Sequence, residues 1–193
     1  MRGELIGAAR VKDPMKKEPG SFRIGIGYDI HPLVEGRPLF IGGVRIDHDR
    51  GLAGHSDADA LIHALCDALL GALNLGDLGA HFPETAEWKD AASTRILARV
   101  AGMVAERGYR LVNADCIVNA EEPSLAPYRG EMAKAIAAAL GVEAGDVSIK
   151  ATRGEGLGPI GEKRAIAAEA VVLLEKVRAT RPPGGGEECS SRG

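Results

Sequence analysis

The most restrictive feature of this chain is an apolar run with glycine at every second position, Ile24-Gly25-Ile26-Gly27-Tyr28, which ends directly on Asp29-Ile30-His31. Isoleucine and tyrosine favour a strand, and glycines inside one permit close approach of another backbone. In an extended segment residues i and i+2 project from one face, so Asp29 and His31 reach a common point. Downstream, His55-Ser56-Asp57-Ala58-Asp59 leads into Ala60-Leu61-Ile62-His63-Ala64-Leu65, which reads as the start of a helix. A carboxylate and two imidazoles form the kind of three-ligand set that zinc uses where a fourth position stays open for substrate. Asp29, His31 and His63 are therefore candidate ligands of a catalytic divalent cation. The ordinary alternative is a strand-end turn with a surface acid and a capping imidazole, because short motifs have false positives. Three of the five histidines (His31, His55, His63) fall within these two motifs, which favours the metal. Asp59 and Asp67 stand at i−4 and i+4 from His63; either could orient a ligating imidazole, or both could belong to a solvated stripe.

At 193 residues the chain fits one domain. Aromatic residues make up only 4%, so the core must rely on Val, Ile, Leu and Ala, which bury less area each. Subunit contacts are expected to supply further burial. The net charge of −3 comes from interspersed acids and bases, with no basic patch of the kind that binds nucleic acid. Cys66, Cys116 and Cys189 fit reduced thiols better than a disulfide framework. No apolar run approaches the roughly 20 residues that span a bilayer, and the first residues lack a signal-like apolar core. A soluble cytoplasmic protein is the expectation.

Residues 1–21 mix Lys, Arg, Glu, Pro and Gly without a period and are expected to form a poorly ordered extension; residues 179–193 are expected to be a flexible tail. Between them, residues 22–178 read as the single domain. Ile24 to Tyr28 is predicted as a strand, and Leu39–Gly43 with Val44–Asp47 as short strands around a Gly-Gly turn. Asp57–Asn74 is predicted as a helix capped by Ser56 or Asp57 and broken by Gly76-Asp77-Leu78-Gly79. Further helices are expected over Ser93–Arg107, with Ser93 as cap, and over Pro127–Leu140, stopped by Gly141. Leu111–Ala120 and Val147–Ala151 read as strands, whereas the alanines of Ala165–Lys176 leave helix and strand both open.

The Gly-Tyr-Asp-Ile-His run and the His-Ser-Asp-Ala-Asp run, in this order, together with Ile41–Ile46 and Lys150–Gly161, resemble the 2-C-methyl-D-erythritol 2,4-cyclodiphosphate synthases of non-mevalonate isoprenoid synthesis. The resemblance runs from about Phe22 to Lys176. It implies a strand over Ala165–Lys176 and a single α/β (α+β) domain with helices on one face of a sheet. It also implies a homotrimer with sheets around the three-fold axis and active sites between subunits. The implied reaction converts 4-diphosphocytidyl-2-C-methyl-D-erythritol 2-phosphate to the 2,4-cyclodiphosphate with release of CMP. The 2-phosphate oxygen attacks the β-phosphorus, so no protein nucleophile is needed, and positioning and charge stabilisation are the protein's levers.

Carried onto this chain, the resemblance gives Asp29, His31 and His63 as ligands of Zn2+ or another divalent cation, with Asp29 and His31 also near substrate. His55 and Ser56 match substrate-contacting positions, and His55 also a transition-state-stabilising one. Asp77, Leu78 and Gly79 match a ribose-contacting turn; Phe82, Pro83, Glu84, Thr85 and Ala86 match a mobile substrate loop. Ala120, Glu121, Glu122, Pro123, Ser124, Leu125 and Ala126 match the cytosine pocket, where the family commonly has Lys in place of Ser124. Thr152, Arg153, Gly154 and Glu155 match the phosphate segment, with Arg153 in place of a Thr that helps stabilise the transition state. A guanidinium there could hold phosphate in its own fork geometry, offsetting the lysine absent at Ser124, or be too bulky for the catalytic pose. Glu155 matches a ligand of a second cation, Mg2+ or Mn2+, shared with the substrate diphosphate. Pro159 and Glu162 match cavity-lining positions near the trimer axis, where the family usually has Phe and Arg.

Two other functions compete with this one. A zinc hydrolase would use the open metal position to activate water, with Asp57 or Asp59 as base. A trimeric nucleotide-binding module would have lost catalysis through the changes at Arg153, Pro159 and Glu162. No nucleic-acid or membrane partner is expected; the partners are the small cytidine diphosphate substrate and further copies of the chain.

Overall fold

A computed structural model describes residues 22–177. The extension over 1–21, the tail over 179–193 and Cys189 lie outside the described residues. The elements follow in the order β1 (Phe22–Glu35), β2 (Leu39–Ile41), β3 (Val44–Ile46), β4 (Arg50–Leu52), α1 (Ala60–Ala72), α2 (Leu78–His81), α3 (Ser93–Glu106), β5 (Tyr109–Asn119), α4 (Arg129–Leu140), β6 (Val147–Thr152), α5 (Gly158–Gly161) and β7 (Ala165–Lys176). Five strands form one mixed sheet in the order β4-β1-β7-β5-β6, and β2 and β3 form a separate ribbon. Helix α1 packs on β1 and β7, α3 lies beside it, and α4 lies beside α3 over β6, so the helices share one face of the sheet, as expected. Among the described residues no helix is long and apolar enough to cross a membrane.

Strand β1 is far longer than the five residues its apolar run predicts. It pairs antiparallel with β7 from Phe22↔Glu175 to Pro32↔Ala165, and this ladder carries the extended backbone through Asp29 and His31. The same pairing decides Ala165–Lys176 for strand, against the helical preference of its alanines; tertiary pairing overrides local propensity here.

The alternation along β1 separates two faces. Gly25, Gly27, Asp29 and His31 lie on the helix side. A Cβ at Gly25 would sit 1.9 Å from the Ala68 carbonyl oxygen, and one at Gly27 would sit 2.0 Å from that of Ala64. Helix α1 can thus rest directly on the β1 backbone only because both positions lack a side chain. The opposite face carries Phe22, Ile24, Ile26, Tyr28 and Ile30, with Ile24 and Ile26 each 72% exposed.

Helix α1 starts three residues later than expected, and its cap is Asp59 rather than Ser56 or Asp57. The fully buried Asp59 carboxylate accepts from the backbone amides of Ile62 at 3.1 Å, Gly42 at 2.8 Å and Gly43 at 2.6 Å. Gly42 and Gly43 turn the β2–β3 ribbon with φ of +61° and +76°, as a tight hairpin requires. One carboxylate therefore ties that ribbon to the start of α1. Burial pushes the Asp59 pKa up, against the pull of the same amides. Ser93 is not a side-chain cap either: α3 follows Ala92 without a capping side chain. Gly141 closes α4 in the left-handed conformation, while Pro127 falls in a 3-10 turn before it. Cys66 and Cys116 are buried free thiols.

Gly27→Ala should destabilise the protein by about 3 kcal/mol or more, because the added methyl meets helix backbone that cannot move aside alone. Gly102→Ala, inside α3 with open space around it, should instead stabilise by about 0.5 kcal/mol. Urea denaturation of both variants checks the contrast; equal effects would remove the close-approach account of β1 and α1.

Candidate metal centre

Every residue of α1 is buried except His63, Asp67 and Gly71, which form one stripe at i, i+4 and i+8. Because α1 lies on Gly25 and Gly27, the first of these meets the next two residues of the same strand face. Asp29 Oδ2 lies 2.9 Å from His31 Nε2 and 3.1 Å from His63 Nδ1, and the two nitrogens are 3.2 Å apart. Ligands at about 2.0 Å from a tetrahedral ion stand on the order of 3.3 Å from one another. The three atoms thus fit the edges of such a shell closely, with a fourth vertex left over. Among the described residues this is the single cluster of such side chains that could hold a metal ion.

The electrostatics suit a cation. Burial alone would raise the Asp29 pKa, but hydrogen bonds and charge from His31 and His63 outweigh it and hold the carboxyl well below the ordinary range. Burial likewise pulls His31 down, and Asp29 more than reverses it, so His31 is raised. The group as built stabilises positive charge at its centre, which a divalent ion would supply with release of protons.

Neither acid on the His63 stripe orients the imidazole. Asp59 is turned to backbone amides, and Asp67 Oδ1 accepts from Leu78 N at 2.7 Å, tying α1 to α2. The far ring nitrogen, His63 Nε2, instead lies 3.1 Å from Ser93 Oγ and 3.2 Å from Ser56 Oγ. Ser93 donates its hydroxyl to Asp57 Oδ1, and its backbone N–H to Asp57 Oδ2 at 2.9 Å. The sequence marks Ser93 only as a helix cap; at 30 residues from His63, nothing in its spacing marks it as a partner of the imidazole.

The three ligand atoms line a cleft of about 270 Å³ together with His55, Ser56, Leu78, Gly79, Phe82, Glu84 and Trp88. His55 Nε2 donates to the Thr85 carbonyl at 2.7 Å, so this imidazole pins the 82–86 loop over the cleft. Asp77 caps α2 by accepting from Ala80 N, and Pro83 and Thr85 line the outer side of the loop beside Trp88. Ala86 is exposed and lines neither side.

A second cleft of about 240 Å³ gathers Ala120, Glu121, Pro123, Ser124, Leu125, Ala126, Thr152 and Arg153. Arg129, at the start of α4, also lines it, a cation that residue-by-residue matching passed over. Glu121 accepts from Gly154 N at 3.0 Å. Glu122 points away, bound to Arg50 at 2.9 Å and Lys163 at 2.7 Å. Glu155, Pro159 and Glu162 line neither cleft, and Glu162 pairs with Arg164 at 2.6 Å. Within one chain the two clefts share no lining residue.

A sequence model of the YgbB family matches residues 22–175. The 2-C-methyl-D-erythritol 2,4-cyclodiphosphate synthase of Geobacillus kaustophilus is 56% identical over 156 residues, covering 80% of this chain and 99% of that protein. The synthase of the same name from Salinibacter ruber is 55% identical over 154 residues, covering 79% of this chain and 98% of that one. Among solved structures, the IspF CDP complex from Plasmodium falciparum superposes with a TM-score of 0.73 at 34% identity, covering 82% of this chain and 98% of that one. A match across nearly the whole described region, joined to relatives of this identity over almost their full length, means that the chain belongs to the YgbB family.

Proposed function

We propose that this chain converts 4-diphosphocytidyl-2-C-methyl-D-erythritol 2-phosphate to 2-C-methyl-D-erythritol 2,4-cyclodiphosphate with release of CMP. The observation that carries the proposal is the convergence of Asp29 Oδ2, His31 Nε2 and His63 Nδ1 within 3.2 Å of one another in a cleft. The identity to synthases of that name supports the choice of reaction. The 2-phosphate oxygen forms the new bond to the β-phosphorus, the bond from that phosphorus to the α-phosphate oxygen breaks, and CMP leaves with the electron pair. Water and redox partners take no part.

Asp29, His31 and His63 would hold a Zn2+ or similar ion, which would supply Lewis acidity toward the diphosphate. Everything else falls to side chains and backbone. His55 exchanges its bond to the Thr85 carbonyl for one to phosphate, which couples loop position to substrate binding. The turn at Asp77, Leu78 and Gly79 offers a carboxylate and an amide to ribose hydroxyls. The backbone between Ala120 and Ala126 reads the cytosine edge, and Arg153 and Arg129 bring positive charge to the phosphates beside it. Glu155 is the candidate ligand for Mg2+ or Mn2+ carried in by the diphosphate.

The two clefts must act on one substrate although one chain keeps them apart, which supports a site between neighbouring subunits. The outward row of Phe22, Ile24, Ile26, Tyr28 and Ile30 offers the apolar surface for that contact, and a homotrimer around this sheet face is part of the proposal. Buried free Cys66 and Cys116 fit a reducing, cytoplasmic setting. Hydrolysis is disfavoured by a specific observation. Asp57 is engaged by Ser93 and Asp59 by three amides, so neither is free to act as base toward water.

Incubation of the purified protein with the substrate, Zn2+ and Mg2+ should yield CMP and cyclic diphosphate in equal amounts by phosphorus NMR. An uncyclised hydrolysis product, or none, would overturn the assignment. His63→Ala should lose bound metal by elemental analysis and lower turnover about 10³-fold. Arg153→Thr should lower turnover about tenfold if its guanidinium holds phosphate; an unchanged or faster rate would dismiss that role. Ile26→Glu should convert a trimer to monomers by sedimentation and abolish turnover while leaving metal bound.

A further inference from the structure

We propose that Asp57 and Ser93 are positioning residues that decide which nitrogen of His63 carries its proton, so that Nδ1 keeps a lone pair for the cation. The inference rests on the metal-centre assignment above. Ser93 is fully buried at the first turn of α3. A hydroxyl has one proton, and Ser93 gives its own to Asp57 Oδ1. Its oxygen, 3.1 Å from His63 Nε2, can then only accept. Nε2 must therefore carry the hydrogen, and in a neutral imidazole that leaves Nδ1 unprotonated. Nδ1 is the atom 3.1 Å from Asp29 Oδ2 and 3.2 Å from His31 Nε2. Ser56 Oγ, 3.2 Å from Nε2, already accepts from Ala58 N and has lone-pair capacity to share the same proton. The opposite polarity, with Ser93 donating to Nε2, would leave the serine and carboxylate oxygens in contact with no proton between them. A carboxylate, a hydroxyl and an imidazole thus form a chain with one allowed direction.

That direction depends on Asp57 being a pure acceptor. Ser93 N donates to Asp57 Oδ2 at 2.9 Å, while Asp59 N approaches Oδ1 at the longer distance of 3.3 Å. In Asp57→Asn the amide oxygen stays with the shorter contact, and the NH2 group takes the place of Oδ1. It then donates to Ser93 Oγ, the serine hydroxyl turns to His63 Nε2, and the ring proton is forced to Nδ1, facing the ion. Side-chain size hardly changes; only the polarity of the chain reverses.

The test measures the Zn2+ dissociation constant by chelator competition for the full chain and for Asp57→Asn, Ser93→Ala and Ser93→Thr. The thermal midpoint of each metal-free sample and the His63 Nε2–H resonance of each Zn2+-loaded sample are recorded alongside. Asp57→Asn and Ser93→Ala should weaken Zn2+ binding by about 10- to 100-fold, the usual effect of removing a partner behind a ligand. Their metal-free midpoints should stay near that of the parent, and Ser93→Thr should restore tight binding with the hydrogen-bonded Nε2–H signal. Ser93→Ala removes no charge, which separates orientation from simple loss of a negative group. Parent-like Zn2+ affinity in Asp57→Asn, or a loss that only tracks a lowered midpoint, would overturn the inference. Failure of the parent chain to bind Zn2+ would instead sink the metal-centre assignment itself.

Discussion

The contact on which this structure depends is backbone against backbone: the Ala64 and Ala68 turns of α1 resting on Gly25 and Gly27 of β1. A single methyl between them would push the helix outward. The imidazole on the preceding part of α1 would then leave the two ligands on the strand. The geometry of the cleft is therefore controlled by a packing distance set at the next residue and little more than one turn further along the helix. Asp59 adds the second restraint, holding the start of α1 to the β2–β3 turn through hydrogen bonds that its fully buried carboxylate accepts from the Gly42 and Gly43 amides.

Much of this arrangement was legible before any coordinates. The Gly-x-Gly-x-Asp-x-His alternation announces a strand face shared by two ligands and a close neighbour, and His63 begins an amphipathic helix. What could not be read was where each acid would be spent. Asp57, Asp59 and Asp67 look alike in sequence, spaced around one histidine. One binds a serine, one caps a helix and a hairpin turn together, and one anchors α2. Those assignments come from partners far off in the chain, such as Ser93 and Gly42, which local spacing cannot rank. Residues 165–176 show the same limit: their composition favours helix, and only the ladders to β1 and β5 make them the centre of a sheet.

The two clefts differ in their chemistry. One gathers a carboxylate oxygen and two imidazole nitrogens into a set of donor atoms that could hold a cation. The other offers small apolar walls, backbone groups and two guanidiniums. Glu122, which matching by position would place among the nucleotide contacts, serves to tie its loop to Arg50 and Lys163. Arg129 reaches the same cleft from a neighbouring element. Position in the chain and position around a ligand come apart most at such loop residues, where one rotamer decides what a side chain meets.

Strand β1 has no idle face. Odd-numbered residues from 25 to 31 face the helix and the Asp29–His31–His63 cluster, and even-numbered ones from 22 to 30 present a largely apolar row outward. A shift of pairing by one residue would exchange the two sets wholesale, turning glycines to solvent and isoleucines into the helix. Evolution can therefore neither lengthen nor shorten this segment by a single codon without displacing the Asp29–His31 pair and the outward apolar row in the same step, and substitutions are the only currency left to it.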